Sequence, residues 1–327
     1  MTVRSKHLIA YASAMFALMV WQLVFYTPPF GRLSDFNVDV VYTIVSQILC
    51  MGIVPLVVLL ILNKGKAAPT FERMRYKAPR DGKSCFLICI ALIFLITPFT
   101  MVFNALTNLL FSILGYRRSY PIGTVYLGIG DFFLMLLLTG ILPAVFEEFS
   151  HRGVLLSGLE NRGSEMSAVI LSSVMFGLMH GNPAQMIYAT FGGLVFGVVV
   201  VKTDSIIPAM CAHFGNNAVS VILDYSTQKQ TTFGVWYERL TSSASILSIG
   251  FTFLVLGLSV FAMVKLLQYA ATKAPKPISE GKLLGVVTLD EYYPDGKATL
   301  KDNIALYPVM IAESALMLFL LVWGIVR

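Results

Sequence analysis

Long apolar segments recur along this sequence, and they restrict the chain to very few architectures. Each run has about 20 residues, which is the length of helix that crosses a bilayer. Only 13% of the 327 residues are charged, against about 25% in a soluble domain, so the chain cannot cover a water-soluble surface. The sequence therefore predicts an all-α, polytopic transmembrane helix bundle in a cell membrane, with the lipid bilayer as its solvent.

The apolar runs predict eight to nine membrane spans. They lie at about 8–27, 40–62, 86–114, 131–160, 165–181, 184–201, 206–224, 243–269 and 306–326.

The basic residues predict the orientation of these spans. Residues 63–83 are rich in Lys and Arg, which by the positive-inside tendency places them in the cytoplasm. Alternation of the spans then puts the N-terminus and the connections at 161–164, 202–205 and 270–303 on the same side. Because the basic residues fall in connecting loops rather than along one stripe, we expect no nucleic-acid partner.

The fourth run contains two acids and a base inside apolar sequence. Glu147, Glu148 and Arg152 would each cost roughly 2.5–3.5 kcal/mol at the centre of a span, so they must face protein or a wet cavity. Glu148 and Arg152 are four residues apart with the acid first, which predicts a structural ion pair on one helix face. Glu147 lies about 100° around the helix, so its carboxylate is free to point into a cavity and act as a general base.

Two further spans supply polar groups that could cooperate with this carboxylate. His180 ends the fifth run, and His213 lies in the seventh. Asn217 follows His213 by one helical turn, which places an amide donor beside an imidazole. We expect Glu147, helped by His180, to deprotonate a water that attacks a peptide carbonyl, while His213 and Asn217 stabilise the oxyanion.

Zinc catalysis is the alternative chemistry, because two His and a Glu are a known catalytic ligand set for that metal. The HExxH sequence is absent, and the sequence offers no strong further donor beyond Asn217. Metal-free water activation is therefore preferred, and no cofactor is expected.

Groups that cooperate must lie at similar heights in the membrane. Measured from the cytoplasmic turns at 1.5 Å per residue, the depths of Glu147, His180 and His213 are roughly 21, 24 and 12 Å. Bends at Pro143 and Gly153 are expected to bring these groups together.

Three motifs in adjacent spans occur in the order found in the CAAX protease and bacteriocin-processing family, also called the Abi family, of intramembrane endopeptidases, which this sequence resembles. They are EExxxR at Glu147, Glu148 and Arg152, FxxxH at Phe176 and His180, and HxxxN at His213 and Asn217.

The resemblance implies a glutamate-type peptidase whose cavity, formed by spans four to seven, opens toward the cytoplasm. It divides the chain into N-terminal spans with a basic loop at 1–124, a peptidase core at 125–225, and C-terminal spans at 226–327 that include a polar loop at about 270–303. The expected substrate is a membrane-tethered peptide or the tail of a lipidated protein, cut near the cytoplasmic face.

One residue departs from the family pattern, because His151 stands where an apolar residue more often precedes the Arg. It lies four residues after Glu147. It could tune that carboxylate, or it could be a helix-surface histidine bonded to a neighbour; we prefer the second interpretation, since nothing else requires the first.

The sequence leaves two other functions open. The chain could be a non-catalytic immunity or scaffold protein that binds a peptide or a sensor partner, or it could be a transporter. The complete set of acid, base and oxyanion groups favours a peptidase, and the transporter hypothesis lacks paired halves with broken helices.

Overall fold

The computed structural model of the chain describes residues 1–25, 35–79, 82–116, 125–160, 165–242, 246–273 and 303–326. This part is almost entirely helical and contains no strand, which confirms the predicted all-α fold. The connection at 161–164 and most of the polar loop at 270–303 lie outside the described residues. The helices, numbered here in chain order, are α1 Val3–Phe25, α2 at 35–62, α3 Ala67–Arg73, α4 Gly82–Ile113, α5 Ile129–Leu159, α6 Glu165–Leu178, α7 Pro183–Thr203, α8 Ile207–Gln228, α9 Thr232–Ser242, α10 Ile246–Lys273 and α11 Leu306–Val326.

Five of the described helices are long and apolar enough to cross a membrane, and the chain is a multi-pass membrane protein. They are Val3–Val24, Val40–Leu62, Cys89–Ile113, Ile129–Leu159 and Pro183–Thr203. The sequence prediction of eight to nine spans also counted α6, α10 and α11, whose apolar parts are shorter, and α8, which carries several polar residues.

Helix α5 contains two π-helical stretches. Leu136–Ile141 and Phe149–Leu156 are π-helical, with hydrogen bonds that reach one residue further than in an α-helix. Pro143 follows the first stretch, where its missing N–H interrupts the α-helical ladder, and Gly153 lies inside the second. Of the two positions at which bends were expected, Gly153 lies inside a π-helical stretch and Pro143 lies just after one. The irregular winding changes which side chains share one face of α5.

Glycines bring neighbouring helices into close contact. A Cβ atom added at Gly158 of α5 would lie 2.6 Å from the Cβ of His7, so α1 packs directly on this helix. Gly193 and Gly197 have the GxxxG spacing that predicts close approach of another helix. A Cβ at Gly197 would lie 2.9 Å from Val169 of α6, which confirms that prediction for α6 and α7.

Ionic and polar contacts gather several chain segments at one end of the bundle, here named the basic end. Arg75 is buried there, with Nη1 2.7 Å from Glu160 Oε2 and Nε 3.1 Å from Asp204 Oδ1. Arg4 Nη1 donates a hydrogen bond of 2.6 Å to the carbonyl oxygen of Leu159. The N-terminus, the Lys- and Arg-rich connection and the C-terminal ends of α5 and α7 therefore meet at one end, as the predicted alternation of spans requires.

Candidate active site

A cavity of about 540 Å³ lies between helices α2, α4, α5, α7 and α8, near the C-terminal end of α6. All four predicted catalytic residues, Glu147, His180, His213 and Asn217, line it. Spans four to seven were expected to form the cavity, but α2 and α4 contribute to its wall as well. The lining residues are Tyr42, Thr43, Ser46, Gln47, Ile96, Thr100, Tyr126, Met135, Leu138, Thr139, Pro143, Glu147, Phe176, His180, Gln185, Tyr188, Ala189, Gly192, Phe196, His213, Asn216, Asn217, Ser220, Val221 and Asp224.

Glu147 is buried in the cavity wall and is held by an amide from another helix. Gln47 Nε2 of α2 donates a hydrogen bond of 2.8 Å to Glu147 Oε1. The other oxygen, Oε2, is 4.0 Å from His213 Nε2, which is beyond hydrogen-bonding distance. Gln47 was not among the site residues predicted from the sequence. Its one sequence signal is an amide side chain in the middle of the apolar run at 40–62.

Glu148 makes the predicted ion pair and one further contact. Its Oε1 is 2.8 Å from Arg152 Nη1, and both side chains are fully buried. Arg152 Nη2 also donates to the carbonyl oxygen of Gly193 at 3.1 Å. The same Glu148 oxygen accepts a hydrogen bond of 2.9 Å from His213 Nδ1. Glu148 therefore fixes the orientation of His213, with Nε2 on the side of Glu147.

The ring of Phe176 packs among four charged or imidazole side chains of the site. The guanidinium carbon of Arg152 lies 4.3 Å from the ring centroid, within the range of a cation–π interaction. His151, His180 and His213 contact the ring edge-on, with centroids 5.2, 5.1 and 5.8 Å away. Phe176 is thus the apolar wall against which these groups are packed.

A backbone hydrogen bond sets the tautomer of His180. This residue lies just after α6, and its Nδ1 is 2.7 Å from the carbonyl oxygen of Phe176. A carbonyl oxygen only accepts hydrogen bonds, so the hydrogen-bond network assigns the proton to Nδ1. The lone pair of the neutral ring is then on Nε2, which makes His180 a proton acceptor.

A chain of hydrogen bonds orients the amide of Asn217. Thr100 Oγ1 donates to Asn216 Oδ1 at 2.8 Å, and Asn216 Nδ2 donates to Asn217 Oδ1 at 3.2 Å. Asn217 Nδ2 in turn donates to the carbonyl oxygen of Thr139 at 2.9 Å. Pro143, four residues after Thr139, has no N–H to offer that carbonyl. The amide nitrogen of Asn217 is therefore fixed at the first irregular stretch of α5, with its second N–H still available for a ligand.

His151 is buried beside the site and does not line the cavity. Tyr11 Oη donates to its Nε2 at 3.1 Å, and its Nδ1 donates to the backbone carbonyl of Glu147 at 3.1 Å. The preferred interpretation, a histidine bonded to its neighbours, agrees with these contacts. Its location differs from that expectation, because α1 covers this face of α5 and leaves no exposed helix surface there.

Polar residues line the cavity near the C-terminal end of α8, which is the end opposite the basic end. The hydroxyl of Tyr126 hydrogen bonds to Asp224, and the Tyr126 backbone N–H donates to Gln228 Oε1 at 3.3 Å. Burial, and then the nearby Asp224 carboxylate, raises the pKa of the Tyr126 phenol. Tyr126 therefore remains a neutral donor that ties the segment before α5 to α8.

The described residues contain no group of three or more His, Cys, Asp or Glu side chains arranged to hold a metal ion. The three residues considered for zinc each have a hydrogen-bond partner. Glu147 accepts from Gln47, His180 donates to the backbone and His213 donates to Glu148.

Residues 129–219 match a family model described as type II CAAX prenyl endopeptidase, Rce1-like. No curated protein and no solved structure matches the chain. The matched residues extend from the start of α5 into α8 and include every site residue named from the sequence. Residues 129–219 are thus similar to the Rce1-like CAAX prenyl endopeptidases, which confirms the family resemblance that the three motifs predicted.

Proposed function

We propose that this protein is an intramembrane endopeptidase that hydrolyses a peptide bond of a membrane-tethered peptide or of a lipidated protein. One observation carries the proposal: Glu147, His180, His213 and Asn217, from three separate parts of the chain, line the same cavity within the helix bundle. Ionisable groups inside a membrane domain are costly, so their convergence in a cavity favours a functional role. The similarity of residues 129–219 to a peptidase family supports the same conclusion.

Water activation is assigned to Glu147 and His180. The carboxylate is held at Oε1 by Gln47, which leaves Oε2 to accept a proton from a water in the cavity. The Nδ1–H tautomer of His180 provides a second acceptor at Nε2. Either group can take the proton as the hydroxide attacks the substrate carbonyl, and the protonated group then supplies it to the leaving amine.

Oxyanion stabilisation is assigned to His213 and Asn217. His213 uses Nδ1–H to bind Glu148, so it can donate to an oxyanion only when Nε2 is also protonated. Asn217 contributes the N–H that is not bound to Thr139. Donors held in place before the reaction stabilise the developing charge without reorganisation.

The direct test is turnover by the purified full-length chain in detergent, measured with internally quenched peptides that carry an apolar anchor or a lipid. Hydrolysis at a defined bond is expected. A folded chain that binds such peptides without cutting any of them would contradict the proposal and would favour the immunity or scaffold function.

Replacing Asn217 by Ala should reduce kcat by about 100-fold to 1000-fold, the usual effect of losing one oxyanion donor. The thermal unfolding temperature should change much less, because the lost hydrogen bond to Thr139 is at a half-buried position. Steady-state kinetics and thermal unfolding of the same preparation measure both effects.

Asn216→Ala is the matched control for that variant. Asn216 also lines the cavity, but its amide is assigned to orienting the Asn217 amide through a 3.2 Å hydrogen bond. Its loss should therefore reduce kcat by about tenfold or less, as for one ordinary hydrogen bond. Equal effects of the two substitutions would contradict the assignment of the oxyanion donor to Asn217.

Metal-free chemistry predicts that turnover resists chelators. Prolonged incubation with a strong zinc chelator should leave kcat unchanged, since the activating groups are then a carboxylate and an imidazole. Elemental analysis of the same preparation should find no stoichiometric zinc. Loss of activity that added zinc restores would instead support the alternative zinc mechanism.

A further inference from the structure

Two cysteines lie at the interface between α4 and α8, the helices that form one part of the cavity wall. Cys89 of α4 is buried, Cys211 of α8 is exposed, and both are free thiols. The two thiols are close enough for a side-chain hydrogen bond between them. The Cys89 thiol also donates to the carbonyl oxygen of Pro208, in the first turn of α8, at 3.7 Å. The two sulfur atoms are therefore neighbours across the helix interface.

Close packing of α4 on α8 holds the two thiols at this interface. Pro208, Cys211 and Gly215 are three and four residues apart, so they share one face of α8. A Cβ atom added at Gly215 would overlap the side chain of Ile93, which follows Cys89 by one helical turn in α4. Contacts before and after Cys211 therefore keep the two helices together at the point where the thiols meet.

The two thiols differ in their access to a reagent. Cys211 is exposed and lies about 7.5 Å along α8 from Ile206. The backbone N–H of Ile206 donates to the carbonyl oxygen of Arg75 at the basic end, and charged connections lie at a membrane surface rather than in its core. Cys89 is buried at the helix interface. A water-soluble reagent therefore reaches Cys211 first, and Cys89 is placed as the second, resolving thiol.

We infer that Cys89 and Cys211 are a redox-active pair, which a low-molecular-weight disulfide oxidises to a cross-link between α4 and α8. The Cys211 thiolate attacks one sulfur of the reagent, forms a mixed disulfide and releases one thiol. The Cys89 thiolate then attacks the Cys211 sulfur, forms the protein disulfide and releases the second thiol. The two cysteines together lose two protons and two electrons, and the two released thiols gain them.

The cross-link fixes α8 against α4 beside the cavity. Thr100 of α4 donates to Asn216 of α8 at 2.8 Å, and Asn216 in turn orients the amide of Asn217. Because the thiols are already in contact, formation of the disulfide needs only a small movement of the two helices. Oxidation therefore holds this interface together and leaves the chain of amides in place. The inference concerns an oxidation site and does not depend on the proposed peptidase function.

Mapping of the thiols in the purified full-length chain tests the inference. The chain is incubated in detergent with oxidised glutathione, the remaining thiols are blocked with iodoacetamide, and the protein is digested for mass spectrometry. Two of the four cysteines should become resistant to alkylation and appear in one linked pair of peptides, containing Cys89 and Cys211. A reductant should restore both thiols. Alkylation of both residues after oxidation, or a glutathione adduct that remains on Cys211, would overturn the inference.

Cys50→Ala and Cys85→Ala are the matched controls for the identity of the pair. Each variant should still form the cross-link, and a disulfide that maps to either of these residues in the native chain would contradict the inference. The mapping uses the native chain, so it remains decisive if a variant folds poorly.

Thermal unfolding provides a second readout. Oxidation should raise the unfolding temperature of the native chain by about 5 °C or more, since a link that closes a loop of roughly 120 residues restricts the unfolded state. The unfolding temperature of Cys211→Ser should not respond to the oxidant. An unchanged or lower value for the oxidised native chain would contradict a cross-link that fits the existing packing. Neither readout requires catalysis, so absence of turnover would reject the proposed function alone.

Discussion

Peptide turnover should fall by about 100-fold to 10,000-fold when Glu147 is replaced by Gln, the range spanned by loss of a general acid–base group. The substituted amide has nearly the same shape and can still accept a hydrogen bond from Gln47, which binds the native carboxylate at 2.8 Å. It cannot, however, accept a proton from water. Steady-state kinetics should show the loss in kcat, while the unfolding temperature and the elution volume on size exclusion remain close to those of the native chain.

Glu313→Gln is the control that separates this chemistry from a general effect of removing a buried carboxyl group. Glu313 of α11 is also buried but does not line the cavity. Its substitution should leave kcat unchanged. Full activity of the Glu147→Gln variant, or equal losses in the two variants, would contradict a catalytic role for Glu147.

The largest loss of stability is expected for Arg152→Met. The substitution removes the 2.8 Å cationic partner of the fully buried Glu148 carboxylate and leaves it only the hydrogen bond from His213 Nδ1. Breaking a buried ion pair by removing one partner typically costs about 3–5 kcal/mol. The cation–π contact with Phe176 is lost as well. The folded yield and the unfolding temperature should both fall sharply, whereas Lys64→Met, at an exposed position, should change neither.

The double variant Glu148→Gln with Arg152→Met distinguishes the two roles of Glu148. Removing both charges should restore much of the folded yield, since a neutral pair avoids the cost of an isolated charge. Turnover should remain low, because His213 Nδ1 would bind an amide in place of the carboxylate that now accepts its hydrogen bond. Recovery of full activity in the double variant would show that Glu148 has no role beyond the ion pair.

Local spacing was sufficient to predict some of these contacts. Glu148 and Arg152 lie within one helical turn, so their ion pair follows from the geometry of a single helix. Five residues of the three family motifs, Glu147, Phe176, His180, His213 and Asn217, likewise line one cavity. Regular helix geometry did not predict the two π-helical stretches of α5, in which the rise per residue departs from that of an α-helix.

Contacts between distant parts of the chain could not be predicted from one sequence. Gln47 is 100 residues from Glu147 and belongs to no motif, so nothing local indicates that it binds the carboxylate. The contact of His213 with Glu148 spans 65 residues and depends on how α8 packs on α5.

The solid packing between the cavity and the basic end has a consequence for membrane permeability. A polar cavity in a bilayer could conduct protons if it continued through the protein, yet in the described residues it ends at Glu147, beyond which the buried residues of α5 and the covering helix α1 follow. Among the described residues, the site is therefore a compartment closed toward the basic end. In the proposed peptidase, the polar fragment of a cleaved peptide would leave by the side from which the substrate came, and hydrolysis would not dissipate the ion gradients of the cell.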